Sequence, residues 1–448
     1  MSNRVRTRIA PSPTGLDLHI GNAYTALINY VFAKKHGGDF VVRIEDTDRV
    51  RFVAGSEKRI LASLAWLGIL YDEGPFHQSE RLDIYKKHAE ELVKKGHAYY
   101  CYCTPERLAE MRKRQEANHE PPMYDGLCKK LTGKKNESHV IRLNVPDVGI
   151  TKFRDVIRGD ILFENKLIDD QVILKSDGYP TYHLGVVVDD HLMEISHVIR
   201  GEDWISSTPK HVLLHQFFGW ELPVYAHMPL LRNPDTSKLS KRKNPVWVSW
   251  YKEQGFLPEA VVNYLATLAW AHPEGKEVFS LEEMMNTFTL ERIQTTAPIF
   301  DIEKLRWMNG EYLRKDPELD QKIFTFFNQI YPITQITLIL PLVVERMKTL
   351  AEFESLAGFF FERPQSFERS KSAQLVQLVK SVLEDCDWTH DAMEKAIRDA
   401  AEKEGLKARD IFMELRVAVT GKTVGPPLLK SLEILGKVES LERLTLIT

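Results

Sequence analysis

The chain has 448 residues, of which 43% are hydrophobic and 27% charged, and its 60 lysines and arginines nearly balance its 63 aspartates and glutamates. This length predicts about three domains with substantial cores, and the composition excludes a chain that is mainly disordered. The net charge of −3 excludes a uniformly basic surface, so any contact with a polyanion must be local.

The sequence contains no segment typical of a membrane span or a secretory signal. The longest apolar run, residues 336–344, contains Pro341 and falls well short of the roughly 20 residues that a transmembrane helix needs. The N-terminal segment carries arginines but no apolar stretch, and only 4 cysteines are spread along the chain. These features predict a protein of the reducing cytoplasm.

The first part of the chain predicts a strand–helix–strand unit. Val5, Thr7 and Ile9 alternate with arginines as in a short strand, and the sequence PSPTG at 11–15 then requires a loop. A helix is predicted over 20–35 and a second strand over 39–44. In such a unit the first strand ends where the helix begins, and backbone N–H groups there favour phosphate. We therefore expect the first chemistry around residues 11–22.

Later segments predict the rest of this α/β domain. Strands are predicted over 194–200 and 224–231, and a helix that includes 210–218 lies between them. The preceding segment, roughly 100–177, is rich in turns and polar residues, with loop and helix predicted first and strands afterwards. The nucleotide-binding fold is therefore predicted to be split by an insertion.

The last part of the chain, after about residue 250, is predicted to be all-helical. One helix there has Thr389 as its candidate N-cap and Gly405 as its end. The sequence shows no internal repeat and no low-complexity segment.

Two short motifs carry the chemistry. The segment His19–Asn22 (HIGN) begins the first helix, where His19 can donate to a phosphate and Gly21 leaves room for a flat base. The segment Lys238–Lys243 (KLSKRK) concentrates cations among turn-forming residues. Each motif alone has an ordinary explanation, a helix that starts with histidine or a charged run facing solvent. Together, two lysines on a mobile loop and a helix-start histidine can bind a triphosphate as charge builds on it.

These motifs resemble the signatures of a known enzyme class. HIGN and KLSKR resemble the HIGH and KMSKS signatures of class I aminoacyl-tRNA synthetases. RIAPSPTG at 8–15, RIEDTD at 43–48 and LRWMNG at 305–310 are similar to segments of bacterial-type glutamyl-tRNA synthetases. The similarity covers nearly the whole chain. Asn22 departs from HIGH, which ends in a second histidine, so His19 is expected to make more of the phosphate contact.

The resemblance implies an α/β fold in which a Rossmann-type catalytic domain carries an inserted acceptor-binding domain and is followed by an all-helical anticodon-binding domain. The expected boundaries are 1–100 and 178–235 for the catalytic domain, 101–177 for the insertion, 236–314 for a stem-contact region and 315–448 for the anticodon-binding domain.

The resemblance also implies an activity. The enzyme would join glutamate to ATP, supplied with Mg²⁺, release pyrophosphate, and pass the glutamyl group from the adenylate to the terminal ribose of tRNA-Glu. In this family the activation step usually requires bound tRNA. Whether tRNA-Gln is charged as well stays open. The expected state is a monomer in the cytoplasm.

Individual roles follow from the same resemblance. The expected catalytic group comprises His19, Gly21, Asn22, Lys238, Ser240 and Lys241. The expected glutamate site comprises Arg8, Ala10, Ser12, Glu45, Tyr182 and Arg200. The expected ATP site comprises His19, Gly21, Trp204, Leu230, Leu231, Lys238 and Lys241. Trp204 and the two leucines have the alternative of being ordinary core residues.

Selection of the amino acid can be argued from charge. Glutamate brings two carboxylates and one ammonium, and arginine pairs with carboxylates through bidentate, charge-assisted bonds. By resemblance, Arg8 and Arg200 lie around the carboxylates and Glu45 binds the ammonium. Glutamine-specific relatives have a neutral residue in place of Arg200 and a PEPNG loop in place of PSPTG, so a buried cation here selects the γ-carboxylate over an amide. The alternative makes Arg200 a surface partner of Glu202 or Asp203.

The predicted insertion contains a candidate zinc site formed by Cys101, Cys103 and Cys128. Some glutamyl enzymes have a zinc-binding knuckle there, but the position of their fourth ligand holds Lys130, which does not bind zinc at neutral pH. Tyr124 matches the tyrosine ligand of a related enzyme that charges a queuosine base, and His119 is another candidate. A metal-free, decayed site is the alternative.

In the helical region, Arg346 is the candidate reader of the third anticodon base, and a solvated helix arginine is the alternative. Two other motifs are set aside: the GKT segment at 421–423 lacks the upstream glycine of a phosphate loop, and His211 and His215 lack the glutamate of a zinc hydrolase.

Two kinds of rival remain. One is another class I enzyme: a glutamine ligase, which Arg200 and the PSPTG loop oppose, or a queuosine-charging relative, which normally lacks a region such as 315–448. The other is a catalytically silent paralogue that binds RNA. Retention of His19, Lys238, Lys241 and Glu45 opposes it, because RNA binding alone requires none of them.

Overall fold

The structure is a computed structural model that describes residues 4–131, 138–239, 245–369 and 372–445. Ser240 and Lys241 of the predicted lysine segment lie outside these described residues. The chain separates into two compact units. The first comprises Met1–Tyr251 and Val261–Asp301, and the second comprises Lys252–Ala260 and Ile302–Thr448.

The strands of the described residues are β1 (Arg6–Ile9), β2 (Asp39–Ile44), β3 (Glu73–His77), β4 (Ala98–Cys101), β5 (Val140–Leu143), β6 (Ile150–Asp155), β7 (Gly159–Glu164), β8 (Val172–Leu174), β9 (His197–Gly201) and β10 (Val224–Met228). The helices are α1 (Ile20–Lys35), α2 (Ser56–Trp66), α3 (Leu82–Lys94), α4 (Pro105–Ala117), α5 (Tyr182–Leu192), α6 (Thr208–Phe218), α7 (Val248–Glu253), α8 (Pro258–Ala269), α9 (Leu281–Thr287), α10 (Ile302–Lys315), α11 (Leu319–Phe326), α12 (Ile333–Val343), α13 (Glu352–Ala357), α14 (Ala373–Glu384), α15 (His390–Lys403), α16 (Ala408–Thr420), α17 (Leu428–Leu435) and α18 (Lys437–Thr445).

The first unit is built on parallel strands. β1 pairs with β2 and β2 with β3, all parallel, and β9 pairs in parallel with β10. The backbone N–H of Ser196, just before β9, donates to the carbonyl of Arg6 in β1 at 3.0 Å, so β9 lies beside β1. This parallel arrangement is typical of an α/β nucleotide-binding fold, in which ligands bind at the carboxyl ends of the strands.

Helix α1 has the bounds that the apolar spacing predicts. The side chains of Ile20, Ala23, Leu27, Ile28 and Val31 are fully buried, as a helix packed on a sheet requires. The strand β2 also has its predicted bounds.

The strands β9 and β10 are shorter than predicted, and each has a local reason. Glu194 has φ 54°, a left-handed conformation that a strand cannot include, so β9 begins only at His197. Pro229 follows the last residue of β10 and has no N–H to donate to a neighbouring strand.

The predicted insertion contributes to two sheets. β4, β5 and β8 form an antiparallel sheet of their own. The hairpin of β6 and β7 instead joins β10, through a parallel pairing of Asp155 with Tyr225. Part of the insertion therefore extends the sheet that carries β9 and β10, which is why the chain forms two compact units where length alone predicts about three domains.

The second unit is helical, as predicted, and no strand occurs among its described residues. Thr389 is the N-cap of α15, its hydroxyl accepting from the backbone N–H of Ala392 at 3.4 Å, and Gly405 follows the helix at φ 64°. One core cluster contains Val376, Val379, Leu383, Met393, Ile397, Leu415 and Leu432. A second contains Leu313, Ile323, Ile336, Val343, Met347 and Phe353. Among the helices described, none has the length and hydropathy needed to cross a membrane.

Candidate active site

A cavity of about 760 Å³ opens at the carboxyl ends of β1, β2 and β9. Its lining includes Arg8, Ala10, Ser12, His19, Gly21, Asn22, Glu45, Tyr182, Arg200, Trp204, Leu230, Leu231 and Lys238. Every described residue of the predicted catalytic, glutamate and ATP groups therefore lines the same cavity. Motifs that are more than two hundred positions apart in the sequence, such as those of Arg8 and Lys238, meet there because the sheet brings their strand ends together.

His19 lies at the wall of this cavity as the N-cap of α1. Its Nδ1 accepts a hydrogen bond from the backbone N–H of Gly21 at 3.0 Å, so a neutral ring carries its proton on Nε2. The ring also meets the edge of Trp247, with 6.0 Å between centroids. An imidazole N–H donor at the positive end of a helix dipole suits an anionic ligand.

Two glycines keep this part of the cavity open. A Cβ at Gly21 would lie 3.1 Å from Nδ1 of His19 and would press on the cap. A Cβ at Gly201, at the end of β9, would lie only 2.7 Å from a carboxylate oxygen of Asp203 and 3.1 Å from Leu230. Larger residues at either position would have to displace the wall that a flat ligand would contact.

The described ends of the lysine segment both border this region. Leu239 donates its N–H to the carbonyl of Leu231 at 3.2 Å, while Ile20 at the start of α1 donates to the carbonyl of Val246 at 2.7 Å. The ammonium of Lys238 forms an exposed ion pair with Asp203 at 3.2 Å. Lys238 and Leu239 therefore lie at one side of the cavity, and Val246 lies beside the HIGN motif.

A buried cluster of charges lies behind the floor of the cavity, which Arg8 and Glu45 line. Asp190 accepts hydrogen bonds from Arg8 at 3.1 and 3.2 Å and from Arg43 at 2.8 Å. Arg43, fully buried, also donates to Glu45 at 3.3 Å. Burial opposes ionisation of Asp190, but the two guanidinium groups outweigh it and lower the pKa of its carboxyl. Neither Asp190 nor Arg43 was predicted as a site residue, and together they hold the predicted residues Arg8 and Glu45 in place.

Glu45 follows β2 and faces the cavity with a perturbed carboxyl group. Burial raises its pKa to about 7, more than the nearby guanidinium groups of Arg43 and Arg8 lower it. The carboxyl is therefore poised to release a proton when a cation arrives near it.

Arg200 at the end of β9 is 5% exposed and is not a surface residue. Glu202 pairs instead with Arg158 at 2.6 Å, and Asp203 pairs with Lys238. The alternative of a surface salt bridge for Arg200 is therefore wrong. Its guanidinium group lies in the cavity wall, 3.2 Å from the hydroxyl of Tyr182.

Aromatic and apolar side chains form the opposite part of the wall. The rings of Tyr182 and Trp204 stack with 4.1 Å between centroids, and burial raises the pKa of the tyrosine. Trp204 and Leu230 are half-buried and line the cavity, and Leu231 lines it although it is nearly fully buried. These three side chains present a flat, apolar surface such as a purine base contacts.

Sequence reasoning missed further cations of the lining. Arg49, Arg51 and Lys175 line the cavity, and the first two are exposed. Arg49 and Lys175 lie over the ring of Tyr179 at 5.8 and 5.3 Å. The signal for the arginines was their position directly after RIEDTD, whereas Lys175 has no sequence motif.

Sequence reasoning also missed the residues behind Arg200. His211 contacts Arg200 at 3.2 Å, although its spacing to His215 was dismissed as irrelevant to chemistry. His227 contacts Arg200 at 3.1 Å and is itself hydrogen-bonded to Asp155 at 2.6 Å. These residues come from α6, β10 and β6, and no local pattern links them.

The three cysteines of the insertion meet in one cluster. The Sγ atoms of Cys101, Cys103 and Cys128 all lie within 4.8 Å of one another, and the described residues hold no other such group of His, Cys, Asp and Glu donor atoms. The hydroxyl of Tyr124 is 3.5 Å from Cys101 Sγ and 3.2 Å from Cys103 Sγ. Burial is the main cause that raises the pKa of Cys103 to about 11. His119 lies outside this donor group, is exposed, and has φ 57°.

In the second unit, Arg346 ends a short turn, Val344–Arg346, and is exposed. Burial and the positive charge of Arg346 together lower the pKa of Arg416, so the two guanidinium groups lie within electrostatic reach of each other. Such a pair can attract an anion such as a phosphate.

Comparisons with known proteins agree on one family. Residues 4–307 match the family described as tRNA synthetases class I (E and Q), catalytic domain, and residues 305–447 match an anticodon binding domain. A glutamate–tRNA ligase of Acidothermus cellulolyticus is 46% identical over 98% of this chain and 94% of its own length. That of Thermus thermophilus is 45% identical over 98% of this chain and 99% of its own length.

Solved structures give the same answer for the fold. The crystal structure of a glutamate–tRNA ligase from Elizabethkingia meningosepticum in complex with its amino acid covers 99% of both chains with a TM-score of 0.85 and 34% identity. A glutamate–tRNA synthetase from Elizabethkingia anophelis covers 99% of both chains with a TM-score of 0.84.

The fold and the two matched domains are those of a class I tRNA synthetase. Within that class, the chain belongs to the glutamate–tRNA ligase family. The predicted fold class is confirmed, with an α/β catalytic part and a helical anticodon-binding part, and so is the predicted activity, an ATP-dependent aminoacyl-tRNA ligase specific for glutamate.

The buried charge cluster leads to a prediction about stability. Asp190→Asn leaves Arg8 and Arg43 buried without their shared carboxylate, and we expect it to lower the free energy of unfolding by about 3 kcal/mol. Urea unfolding of the full chain at neutral pH measures this loss. Because the pKa of Asp190 is lowered, its stabilisation is present above the ordinary aspartate pKa and is lost as the pH falls through the folded value.

The matched control is Asp160→Asn, which removes an exposed carboxylate 3.8 Å from Arg154. We expect it to change the free energy of unfolding by less than about 0.5 kcal/mol. Equal effects of the two substitutions would contradict the structural role of Asp190.

Proposed function

We propose that the cavity binds glutamate and ATP side by side and forms glutamyl-adenylate before transfer to tRNA-Glu. The observation that carries this proposal is the convergence of Arg8, Glu45 and Arg200 with His19 and Lys238 on one lining. A substrate with two negative groups and one positive group meets two cations and one carboxylate there, and a triphosphate meets the imidazole and ammonium donors.

Glutamate is proposed to lie over the charged floor. Arg200 and the hydroxyl of Tyr182 bind the γ-carboxylate, Arg8 binds near the α-carboxylate, and Glu45 accepts from the ammonium. Ala10 and Ser12, which follow β1, form the rest of this floor. The small side chain of Ala10 leaves space for the substrate backbone.

ATP is proposed to enter as its Mg²⁺ complex, which is substrate and not a resident cofactor. His19 donates from Nε2 to the phosphates, and Gly21 together with Trp204, Leu230 and Leu231 contacts the nucleoside. Asn22, also in the lining, takes part in the phosphate contact. Lys238, Ser240 and Lys241 stabilise the charge that builds on the leaving pyrophosphate.

The central experiment is aminoacylation by the full chain with labelled glutamate, ATP and purified tRNA. We expect charging of tRNA-Glu, and the same assay with tRNA-Gln reports whether the enzyme discriminates between them. Lys241→Ala is expected to slow adenylate formation by roughly a hundredfold while glutamate binding changes little, because the lysine acts on charge that develops in the transition state. Binding of tRNA without any charging by the parent would identify a silent paralogue.

A second prediction concerns Glu45 and pH. In the enzyme without substrate, Glu45 is protonated below about pH 7. The ammonium group of bound glutamate favours the ionised carboxylate, so glutamate binding below this pH must release a proton from Glu45. The KM for glutamate is therefore expected to rise by up to about tenfold for each pH unit below 7, while the KM for ATP stays nearly constant.

Calorimetry in two buffers of different ionisation enthalpy counts the released proton directly. Glu45→Gln serves as the control, because its side chain has nearly the same size and does not titrate. Glutamate binding by the parent without proton release at about pH 6 would contradict the role proposed for Glu45.

We also propose that the cysteine cluster binds zinc, with Cys101, Cys103 and Cys128 as thiolate ligands and the Tyr124 oxygen as the fourth. The donor set supports this, since three sulfur atoms within 4.8 Å and a phenolic oxygen within 3.5 Å of two of them suit a tetrahedral ion. Arg142 lies 4.0 Å from the Tyr124 ring centroid, and its positive charge favours the anionic ligands. Zinc would hold β4 to the segment around Cys128.

The zinc proposal predicts about one equivalent of zinc in the full chain purified from zinc-containing medium. Elemental analysis measures it, and Cys103→Ser should lose the metal and lower the thermal midpoint. Cys386→Ser is the control, because this cysteine lies in the second unit, outside the cluster, and should retain zinc. A parent chain without zinc would establish the decayed, metal-free alternative.

The remaining expectations concern the partner and the setting. Arg346 is proposed to contact the anticodon, supported by its exposure and by the nearby charge of Arg416. We propose a monomer that acts in the cytoplasm, where tRNA is charged. The four free cysteines are compatible with this reducing compartment.

A further inference from the structure

We propose that His211 and His227 are specificity-determining residues: as neutral rings they accept hydrogen bonds from Arg200, which positions its guanidinium group and leaves its positive charge uncompensated for the substrate. The inference rests on the proposed function, in which Arg200 binds the γ-carboxylate of glutamate. It adds the source of that selectivity, which lies behind the cavity wall.

Among the described residues, the hydrogen-bond partners of Arg200 are all neutral groups. Its Nε donates to Nε2 of His227 at 3.1 Å, and its terminal nitrogens donate to Nδ1 of His211 at 3.2 Å, to the hydroxyl of Thr208 at 2.8 Å and to that of Tyr182 at 3.2 Å. Among the described residues no carboxylate forms an ion pair with Arg200. A guanidinium group that is 5% exposed is thus oriented without being neutralised.

The tautomer of His227 is set by Asp155. The buried carboxylate of Asp155 accepts from Nδ1 of His227 at 2.6 Å and from its backbone N–H at 3.0 Å. Its other oxygen accepts from the N–H groups of Ile157 and Arg158, both at 2.9 Å. The proton of a neutral His227 therefore lies on Nδ1, and Nε2 presents a lone pair to Arg200.

His211 is oriented from the opposite side. Its Nδ1 accepts from Arg200, so its proton lies on Nε2, which is 3.0 Å from Nδ1 of His183. Burial and the charge of Arg200 hold the pKa of His211 well below its usual range, and burial lowers that of His227. Both rings therefore remain neutral acceptors at physiological pH.

The other arginines of the floor show the contrast. Arg8 and Arg43 share the carboxylate of Asp190, and Arg43 also contacts Glu45. Their charges are largely balanced before any substrate arrives. Arg200 alone among these three keeps an unbalanced charge, and the cavity side of its guanidinium group lies beside Tyr182.

An uncompensated buried cation discriminates by charge. A γ-carboxylate supplies the missing negative charge, whereas the amide of glutamine supplies none and would also turn an NH₂ group toward N–H donors. A protein carboxylate placed against Arg200 would already supply that charge, and the preference for glutamate would decrease. The acceptors must therefore be neutral for the selectivity to exist.

The experiment compares matched substitutions at His211 in the full chain. Asp and Asn both bring an oxygen near the position of Nδ1, but only Asp adds charge. The measured quantity is the ratio of the inhibition constant of glutamine to the KM for glutamate. We expect His211→Asp to lower this ratio by at least about tenfold, chiefly because the KM for glutamate rises, with little change in kcat. His211→Asn is expected to retain the ratio within about threefold. His215→Asp, one turn further along α6, controls for a buried aspartate away from Arg200.

A second pair keeps the test decisive if His211→Asp does not fold. Thr208, the first residue of α6, accepts from Arg200, and a negative charge is tolerated at a helix N-terminus. Thr208→Asp should reduce the ratio and Thr208→Asn should not. Equal ratios in the Asp and Asn variants of both positions, in folded protein, would overturn the inference. A parent that does not charge tRNA with glutamate would instead refute the proposed function, so the two failures are distinguishable.

Discussion

The catalytic unit depends on one buried interaction, the carboxylate of Asp190 shared between Arg8 and Arg43. Asp190 lies near the end of α5, after the predicted insertion, whereas its two partners lie in β1 and β2, before it. The carboxylate of Asp190 thus connects the two segments of the predicted catalytic domain behind the cavity, as does that of Asp189, which lies 2.8 Å from Arg81 and 3.7 Å from Arg43. Because Asp190, Arg8 and Arg43 are almost fully buried, none can be removed without leaving an uncompensated charge in a low dielectric.

This interaction also orients the side chains that are proposed to bind glutamate. Asp190 pairs with Arg8 and holds its side chain at the cavity. Arg43, the other partner of Asp190, pairs in turn with Glu45. The carboxyl group of Glu45 then experiences more desolvation than attraction, which raises its pKa. Arg200 follows the opposite rule, since only neutral groups orient it. The site therefore combines Arg8, whose charge Asp190 balances, with Glu45, which can be protonated, and Arg200, whose charge is not balanced. In each case the residues behind the side chain determine its charge state or its orientation.

Much of the fold and of the lining could be predicted from the sequence because the relevant signals are local. The bounds of α1 follow from apolar spacing, and the position of His19 follows from the PSPTG loop before it. The start of β9 was missed because nothing in the sequence marks the left-handed conformation of Glu194. The end of β10 had a local signal, Pro229, which the strand predicted over 224–231 did not take into account. The sharing of the β6–β7 hairpin with β10 was missed as well, since strand pairing over long separations leaves no local pattern.

The interior of the site was the least predictable part, and the reason is physical. Several residues proposed to contact substrate occur in contiguous motifs, where a loop or a helix start presents several side chains at once. The residues that orient them, such as Asp155, His211 and His227, meet only after α6, β6 and β10 have packed together. Two synthetases can therefore share the HIGH-type and KMSKS-type motifs and still differ in the amino acid they prefer. In this chain the preference for glutamate is proposed to depend on the neutral acceptors behind Arg200, and no local motif encodes those acceptors.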